Sequence, residues 1–245
     1  FSMVLHCHAF LSNFIKIYLT MKKVLLLVSL AVAALVGNAA KPYKVAILGD
    51  SYSTFERHVQ PDNNYVWYFD GENKPERTDV NALGDTWWQR FINDTGFELV
   101  RNNSFSGSTI CHTGYNGEDY SGRSFITRMR YLGDPDIILV FGATNDFWAK
   151  VPVESDSTLH NPLYAFHPAM KELVTGLPAL YPGAKVYFML NDEIDGPVRD
   201  IILKECEAQR IPVLQLEAID KRMGHPSKAG MAEINRQLKE FLRIE

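Results

Sequence analysis

The sequence contains little cysteine, with three residues in 245: Cys7, Cys111 and Cys206. Small secreted domains held together by disulfides are far richer in cysteine, so the composition excludes that class. Cys111 and Cys206 either pair in an oxidising compartment or remain as two buried thiols. The fold must therefore rest on a hydrophobic core, and 46% hydrophobic residues provide enough apolar material for one.

The sequence also lacks an excess of basic residues, and its histidines show no spacing typical of metal ligands. Lysine and arginine number 25 against 29 aspartate and glutamate residues, and the charges are mixed along the chain. No basic surface is therefore expected to bind nucleic acid. Because the histidines do not pair with cysteine or carboxylate residues at ligand spacing, we predict no metal site.

No hydrophobic run is long enough to make a comfortable membrane span. Residues 24–36 form a short apolar run that follows a positively charged start and precedes small residues. This order is typical of a secretory signal peptide, which we assign to residues 21–39, with residues 1–20 as an upstream extension outside the fold. The alternative is a retained N-terminal anchor helix. We predict an exported protein, periplasmic or extracellular, with no stable membrane insertion after processing.

Strand-like apolar runs alternate with helix-like stretches after the signal segment. The runs typical of strands are at 44–48, 97–101, 136–141, 185–190 and 211–216. The stretches with an apolar stripe at helical spacing are at 86–93, 124–132, 163–180, 198–208 and 228–242. This alternation predicts a single α/β domain over residues 41–245 with a mostly parallel sheet.

One long segment, residues 52–85, fits neither pattern. It is rich in Asn, Asp, Pro and Gly and also contains several aromatic residues. A loop of this length in a compact domain is usually functional or disordered. Its aromatic content argues against disorder.

Polar residues that suit acyl transfer follow the predicted strands. Ser51 follows the first strand, Gly107 the second and Asn145 the third, and His225 lies just before the last helix. In a parallel sheet these positions lie at one edge, where ligands bind. A serine hydroxyl becomes a nucleophile when a histidine accepts its proton. The backbone N–H groups of Ser51 and Gly107 and the Asn145 amide could hold an oxyanion.

Four sequence blocks that contain these residues resemble the SGNH, or GDSL-type, hydrolases over residues 43–242. The blocks are GDSYS at 49–53, NNSFSGSTI at 102–110, GATND at 142–146 and His225-Pro226. The resemblance implies a three-layer α/β/α sandwich with a five-stranded parallel sheet in flavodoxin-like order. It also implies a serine esterase without a cofactor, with Ser51 as nucleophile, His225 as base, and Ser51, Gly107 and Asn145 as the oxyanion hole.

The sequence departs from the family pattern at the acid partner of the histidine. The family usually has Asp three residues before the histidine, and this position is Arg222 here. We expect Asp220 to orient His225 through a longer loop. The alternatives are Asp192 or Glu193, or a Ser–His pair steadied by a backbone carbonyl.

The sequence indicates the substrate less clearly than it indicates the reaction. An exported enzyme with aromatic residues near the site suits an O-acetyl ester on a carbohydrate, so we expect a small-molecule or glycan ester as the partner. We assign Trp148, His112 and Trp67 as candidate substrate-binding residues, although Trp67 could equally belong to the core of the long loop. The alternatives are a lipase or lysophospholipase, and a non-catalytic carbohydrate-binding protein on the same fold.

Overall fold

A computed structural model describes residues 21–22, 41–71, 77–156 and 159–244. The chain divides into two units, Phe1–Lys41 and Pro42–Glu245, and the fold below concerns the second. The expected upstream extension and signal peptide lie outside the described residues, apart from Met21 and Lys22, and stay predictions. Within the described ranges, no helix is long and apolar enough to cross a membrane.

A five-stranded parallel sheet forms the centre of the second unit. Its strands are β1 (Lys44–Gly49), β2 (Glu98–Ser104), β3 (Ile137–Phe141), β4 (Lys185–Leu190) and β5 (Val213–Gln215). The spatial order is β2-β1-β3-β4-β5. The predicted parallel sheet in flavodoxin-like order is therefore confirmed.

Helices cover both faces of the sheet. They are α1 (Trp87–Thr95), α2 (Phe125–Arg128), α3 (Thr144–Ala149), α4 (Phe166–Leu180), α5 (Gly196–Ala208) and α6 (Lys228–Leu242). The strand β1 contributes alternate residues to two cores, Ala46 and Leu48 to one and Val45 and Ile47 to the other. The first core contains residues of α2, α4 and α5, and the second contains residues of α1 and α6. This arrangement is the predicted three-layer sandwich.

Most predicted elements are present, with local differences. The helix predicted at 124–132 is the single turn α2, and the last predicted strand is shortened to β5. The short helix α3 and a two-stranded hairpin, β6 (Lys221–Arg222) and β7 (His225–Pro226), were not predicted. Both are too short to show a hydrophobic period. Cys111 and Cys206 are buried free thiols.

The described part of the long segment after β1 is ordered against the sheet without regular strands or long helices. Tyr52 and Tyr68 are fully buried in the second core. The Gln60 N–H donates to the Asn102 carbonyl at 2.8 Å, which fastens the segment to β2. The aromatic residues of the segment therefore serve partly as core, and they bring the segment to the carboxyl edge of the sheet.

Candidate active site

The first strand ends in a tight turn that carries Ser51. The Asp50 carboxylate accepts the Tyr52 N–H at 3.0 Å and fixes this turn. Gly49 is needed because a Cβ there would lie 2.5 Å from the Ser104 hydroxyl oxygen at the end of β2. The turn places the buried Ser51 hydroxyl at the carboxyl edge of the sheet, as the sequence predicts.

The structure brings Ser51 and His225 together across 174 residues of sequence. The Nε2 atom of His225 lies 2.9 Å from the Ser51 Oγ. The Nδ1 atom lies 3.1 Å from the backbone carbonyl oxygen of Met223. A carbonyl can only accept, so Nδ1 carries the proton and Nε2 is free to accept the Ser51 hydroxyl proton.

The hairpin β6–β7 presents His225 to Ser51. Its strands pair Arg222 with His225, and the two residues between them, Met223 and Gly224, have φ values of 47° and 75°. Two positive φ values are typical of the tight turns that join hairpin strands. This left-handed backbone costs the non-glycine residue Met223 about 1–2 kcal/mol. The strained residue is the one whose carbonyl binds His225.

The expectation that Asp220 orients His225 is wrong. The Asp220 carboxylate accepts the Ser227 hydroxyl, and the Ser227 N–H donates to the Asp220 carbonyl at 3.0 Å. The cause is the register of the hairpin, because pairing of Lys221 with Pro226 places Asp220 opposite Ser227. Asp220 therefore supports the start of α6, where Ser227 is the N-cap residue.

The two other candidate acids also bind elsewhere. Asp192 and Glu193 both accept from the Lys221 ammonium group. Glu193 also accepts the indole N–H of Trp148 at 3.2 Å. The backbone carbonyl of Met223, which the sequence left open as an alternative, is the group that contacts Nδ1 of His225.

Aromatic rings surround the imidazole of His225. Trp67 stacks on it with ring centroids 3.6 Å apart and planes at 6°. The Arg77 guanidinium covers the other face of Trp67 at 3.9 Å from the ring centroid. Both faces of this indole are occupied, which supports the alternative that Trp67 belongs to the core of its loop, and a substrate-binding role for Trp67 stays a prediction. Trp148 lies edge-on to the imidazole, 5.7 Å between centroids, and a substrate-binding role for it stays a prediction.

Two buried tyrosines hold the backbone on either side of His225. The Tyr52 hydroxyl donates to the carbonyl of Gly224, and the Tyr68 hydroxyl donates to the carbonyl of Pro226 at 2.8 Å. Burial raises the pKa of both phenols, so both remain neutral donors. These bonds fix the peptide unit between Gly224 and His225 and the peptide unit between Pro226 and Ser227.

The expected oxyanion donors lie in the turn after β1, in the loop after β2 and in the helix α3. Gly107, with a φ of 81°, is in a turn closed by the Ser108 N–H and the Phe105 carbonyl at 3.2 Å. Within the described part of the chain, the backbone N–H groups of Gly107 and Ser51 have no acceptor. The Asn145 amide donates one hydrogen to the Ser108 carbonyl at 3.0 Å, which leaves its second N–H for a ligand.

Asn145 is oriented by a residue that sequence reasoning missed. The Tyr115 hydroxyl donates to the Asn145 Oδ1 at 2.8 Å. This bond distinguishes the oxygen from the nitrogen of the amide and directs the nitrogen towards the Gly107 turn. Tyr115 lies in an irregular loop, so no periodic signal in the sequence marks it.

A buried arginine connects the serine turn to the oxyanion loop. The Arg128 guanidinium donates to the Gly49 carbonyl at 3.1 Å and to the Ser108 hydroxyl at 2.8 Å. Burial lowers the pKa of Arg128 to about 9, and burial raises the pKa of the neighbouring Asp50 to about 7. Asp50 and Arg128 therefore fix the serine turn and the loop that contains Ser108 relative to each other.

The environment of His225 disfavours its protonated form. Burial is the main cause, and the positive charges of Arg77 and Lys221 act in the same direction. The hydrogen bond to the Met223 carbonyl opposes them only partly, and the pKa of His225 falls to about 4. The imidazole is therefore a neutral acceptor at and well below neutral pH.

The comparison with protein families matches residues 43–242 to the GDSL-like lipase/acylhydrolase family. The chain belongs to this family. It is an ester-cleaving hydrolase by that membership.

Solved structures agree with the family assignment. This GDSL-like hydrolase is 49% identical to a Bacteroides uniformis protein described as a GDSL-like lipase, with a TM-score of 0.78 and coverage of 82% of this chain and 96% of that one. A Bacteroides ovatus protein with the same description is 45% identical, with a TM-score of 0.78 and coverage of 83% and 99%. A comparison with curated proteins gives no match.

A more distant structure shows the same fold. It is an acetyl xylan esterase from the rumen bacterium Butyrivibrio proteoclasticus, 14% identical, with a TM-score of 0.56 and coverage of 83% of this chain and 64% of that one. At this identity the likeness concerns the fold alone.

His112 of the GDSL-like hydrolase lies against neighbours other than Ser51 and His225. Its Nδ1 atom is 3.1 Å from the Ser124 hydroxyl, and its ring contacts that of Tyr164 at 5.3 Å between centroids. A substrate-binding role for His112 stays a prediction. Within the residues that the structure describes, no group of three or more His, Cys, Asp or Glu side chains could hold a metal ion.

Proposed function

We propose that this hydrolase is a serine esterase in which Ser51 attacks the ester carbonyl and His225 is the base. The observation that carries the proposal is the 2.9 Å contact between the Ser51 Oγ and the His225 Nε2. A serine hydroxyl is a poor nucleophile until a base accepts its proton. The Met223 carbonyl keeps the Nδ1 atom protonated, so that Nε2 can accept.

The reaction proceeds in two balanced halves. The Ser51 oxygen bonds to the carbonyl carbon while its proton moves to Nε2 of His225, and the intermediate then expels the alcohol, which takes that proton. Water attacks the resulting acyl-serine and gives a proton to Nε2. Collapse releases the carboxylic acid and returns the proton to Ser51. The N–H groups of Ser51 and Gly107 and the amide of Asn145 stabilise the oxyanion in both halves.

We propose an O-acetyl ester on a carbohydrate as the substrate. Tyr65 is 65% exposed, and its ring lies against that of Phe105, 5.2 Å between centroids. The Tyr65 carbonyl accepts the Ser106 N–H at 2.8 Å, directly beside Gly107. An exposed aromatic ring at the rim of the oxyanion loop suits stacking against a sugar ring.

A lipase or lysophospholipase is the second candidate, and a cavity of about 500 Å³ favours it. Trp148 lines this cavity and also lies edge-on to the imidazole of His225, and the cavity walls are partly apolar. The apolar lining consists of Phe147, Val151, Val153, Pro197 and Val198. Such walls could receive an acyl chain longer than acetate.

Hydrolysis of p-nitrophenyl esters tests the catalytic assignment. We expect the wild type to cleave p-nitrophenyl acetate, and Ser51→Ala and His225→Ala to lose this activity. Ser53→Ala is the matched control, because this buried hydroxyl lies in the same turn and has no hydrogen-bond partner. Equal rates for the wild type and Ser51→Ala would refute the proposal.

A panel of substrates tests the ester class. Faster cleavage of acetylated xylan oligosaccharides than of long-chain esters supports the carbohydrate assignment, and the reverse order supports the lipase. Tyr65→Ala should raise KM for acetylated oligosaccharides and leave KM for p-nitrophenyl acetate unchanged. An unchanged KM for both substrates argues against Tyr65 as a sugar platform.

We propose further that the protein is exported after cleavage behind residue 39. The support is the order of charged, apolar and small residues between 21 and 39. N-terminal sequencing of the mature protein from an expressing bacterium tests this. A mature chain that begins near residue 40 supports export, and a chain that retains residues 21–39 contradicts it.

A further inference from the structure

The hydrogen bonds to His225 leave its ring orientation underdetermined. The imidazole has one neutral acceptor, the Met223 carbonyl at 3.1 Å, and one contact with Ser51 at 2.9 Å. The Ser51 contact changes whenever the proton moves. A single hydrogen bond between neutral groups contributes less to stability than a hydrogen bond to a charged group. Something further must keep the ring aligned during turnover.

The stack on Trp67 supplies that constraint. Its plane is nearly parallel to the imidazole, at 6°, and the 3.6 Å centroid distance is van der Waals contact between the two rings. Rotation of the imidazole about its Cβ–Cγ bond would drive one ring edge into the indole. The plane that the indole permits is the one in which Nε2 faces Ser51 and Nδ1 faces the Met223 carbonyl.

Trp67 is itself held from several directions. Its backbone N–H donates to the Thr54 hydroxyl at 2.9 Å, and its carbonyl accepts from the Arg77 guanidinium at 3.2 Å. The same guanidinium lies 3.9 Å from the centroid of the indole on the face opposite His225. The three groups therefore form a stack of guanidinium, indole and imidazole.

We propose that Trp67 is a positioning residue that takes over the orienting role of a carboxylate, with Arg77 holding the indole from its far face. This inference rests on the proposed Ser51–His225 esterase. Sequence reasoning missed Arg77, because nothing in the spacing of the long loop indicates which aromatic ring a guanidinium will cover.

The stack has an electrostatic consequence that differs from that of a carboxylate. The charged groups near the imidazole are Arg77, behind Trp67, and Lys221, whose charge is offset by Asp192 and Glu193. The remaining neighbours are neutral: the rings of Tyr52, Tyr68 and Trp148. Arg77 therefore disfavours the imidazolium, and its removal should raise the pKa of His225.

Substitutions of Trp67 test the positioning role by a split between kcat and KM. With p-nitrophenyl acetate, Trp67→Leu should lower kcat by about 10- to 100-fold, as expected for loss of alignment, with KM within about twofold. Trp67→Phe keeps a flat ring and should restore much of kcat. Phe69→Leu is the matched control, because Phe69 lies in the same segment and its ring centroid is 5.8 Å from the same guanidinium, farther than that of Trp67.

Substitutions of Arg77 test the electrostatic part through the pH profile. Arg77→Gln should shift the acidic limb of kcat/KM to higher pH, whereas Arg77→Lys, which keeps the charge, should leave the limb in place. Thermal unfolding of each variant checks that it is folded. Equal acidic limbs in the wild type, Arg77→Gln and Arg77→Lys would contradict this part.

A readout independent of activity separates failure of this inference from failure of the proposed function. The Nδ1 proton of His225 should give a downfield proton NMR signal in the wild type, assigned by its loss in His225→Asn. In Trp67→Leu we expect this signal to broaden or vanish through exchange with water, and in Trp67→Phe to persist. An unchanged signal and an unchanged kcat in folded Trp67→Leu would overturn the proposal, even if Ser51→Ala proves inactive.

Discussion

Replacing Asp220 by asparagine separates an orienting role from a capping role. An aspartate that orients a catalytic histidine must contact its Nδ1 atom, and here that atom faces the Met223 carbonyl. The Asp220 carboxylate contacts the Ser227 hydroxyl, which in turn accepts the Gly230 N–H at 3.2 Å. Asp220→Asn therefore disturbs the first turn of α6 and leaves the bonds to His225 intact.

The two roles predict effects of very different size on kcat and on stability when Asp220 is replaced. Loss of an orienting aspartate from a Ser-His-Asp triad lowers kcat by about 10⁴-fold. Loss of a helix N-cap interaction costs about 1 kcal/mol of stability, and for a domain of this size that is a fall in Tm of about 2–4 °C. We expect Asp220→Asn to keep kcat/KM for p-nitrophenyl acetate within about threefold, since the loss concerns stability rather than the base.

Steady-state kinetics and thermal unfolding of the same preparation measure both effects. Ser227→Ala is the matched control, because it removes the same bond from the other partner. The double variant should be little less stable than Ser227→Ala, since Ser227→Ala already loses both the bond to Asp220 and the bond from the Gly230 N–H. A fall in kcat of a thousandfold or more in folded Asp220→Asn, with Ser227→Ala fully active, would refute the reasoning.

Three further predictions concern the same site. Because only neutral His225 can accept a proton and its pKa is lowered to about 4, kcat/KM should fall below about pH 5. A pH–rate profile with its acidic limb near the ordinary value of about 6.5 contradicts this. Asn145→Ala should lower kcat by about 10²–10³-fold with little change in KM, and steady-state kinetics in which only KM changes would count against an oxyanion role. Tyr68→Phe leaves the buried Pro226 carbonyl without its donor and should lower the free energy of unfolding by about 1–3 kcal/mol. Urea unfolding measures this loss, and an unchanged midpoint would speak against the bond.

The sheet and the pair of reacting side chains could be predicted because strong local signals mark them. The strand β3, Ile137–Phe141, is apolar throughout, as a strand buried on both faces must be. Ser51 and Asn145 each follow such a run, so the parallel topology brings them to one edge whatever the details of the loops. His225 could be placed there by the resemblance of its block to a known family.

The partners of His225 could not be predicted for a different physical reason. Which side chain or carbonyl faces the imidazole depends on the register of a hairpin with two residues in each strand. A shift of one residue would bring a different side chain to the imidazole. The stack on Trp67 depends on how an irregular loop folds back over the sheet, for which periodicity gives no information. Tyr115 and Arg128 act through side-chain contacts of the same irregular kind.

Trapping of the acyl-enzyme tests the central claim, the transfer of the acyl group to Ser51, most directly. Protein quenched with acid during turnover of p-nitrophenyl acetate is digested and analysed by mass spectrometry. We predict one acetyl group on the peptide that contains Ser51, absent from Ser51→Ala and reduced in His225→Ala, which lacks the base that activates Ser51. An acetyl group on another residue, or turnover by Ser51→Ala at the wild-type rate, would contradict this claim.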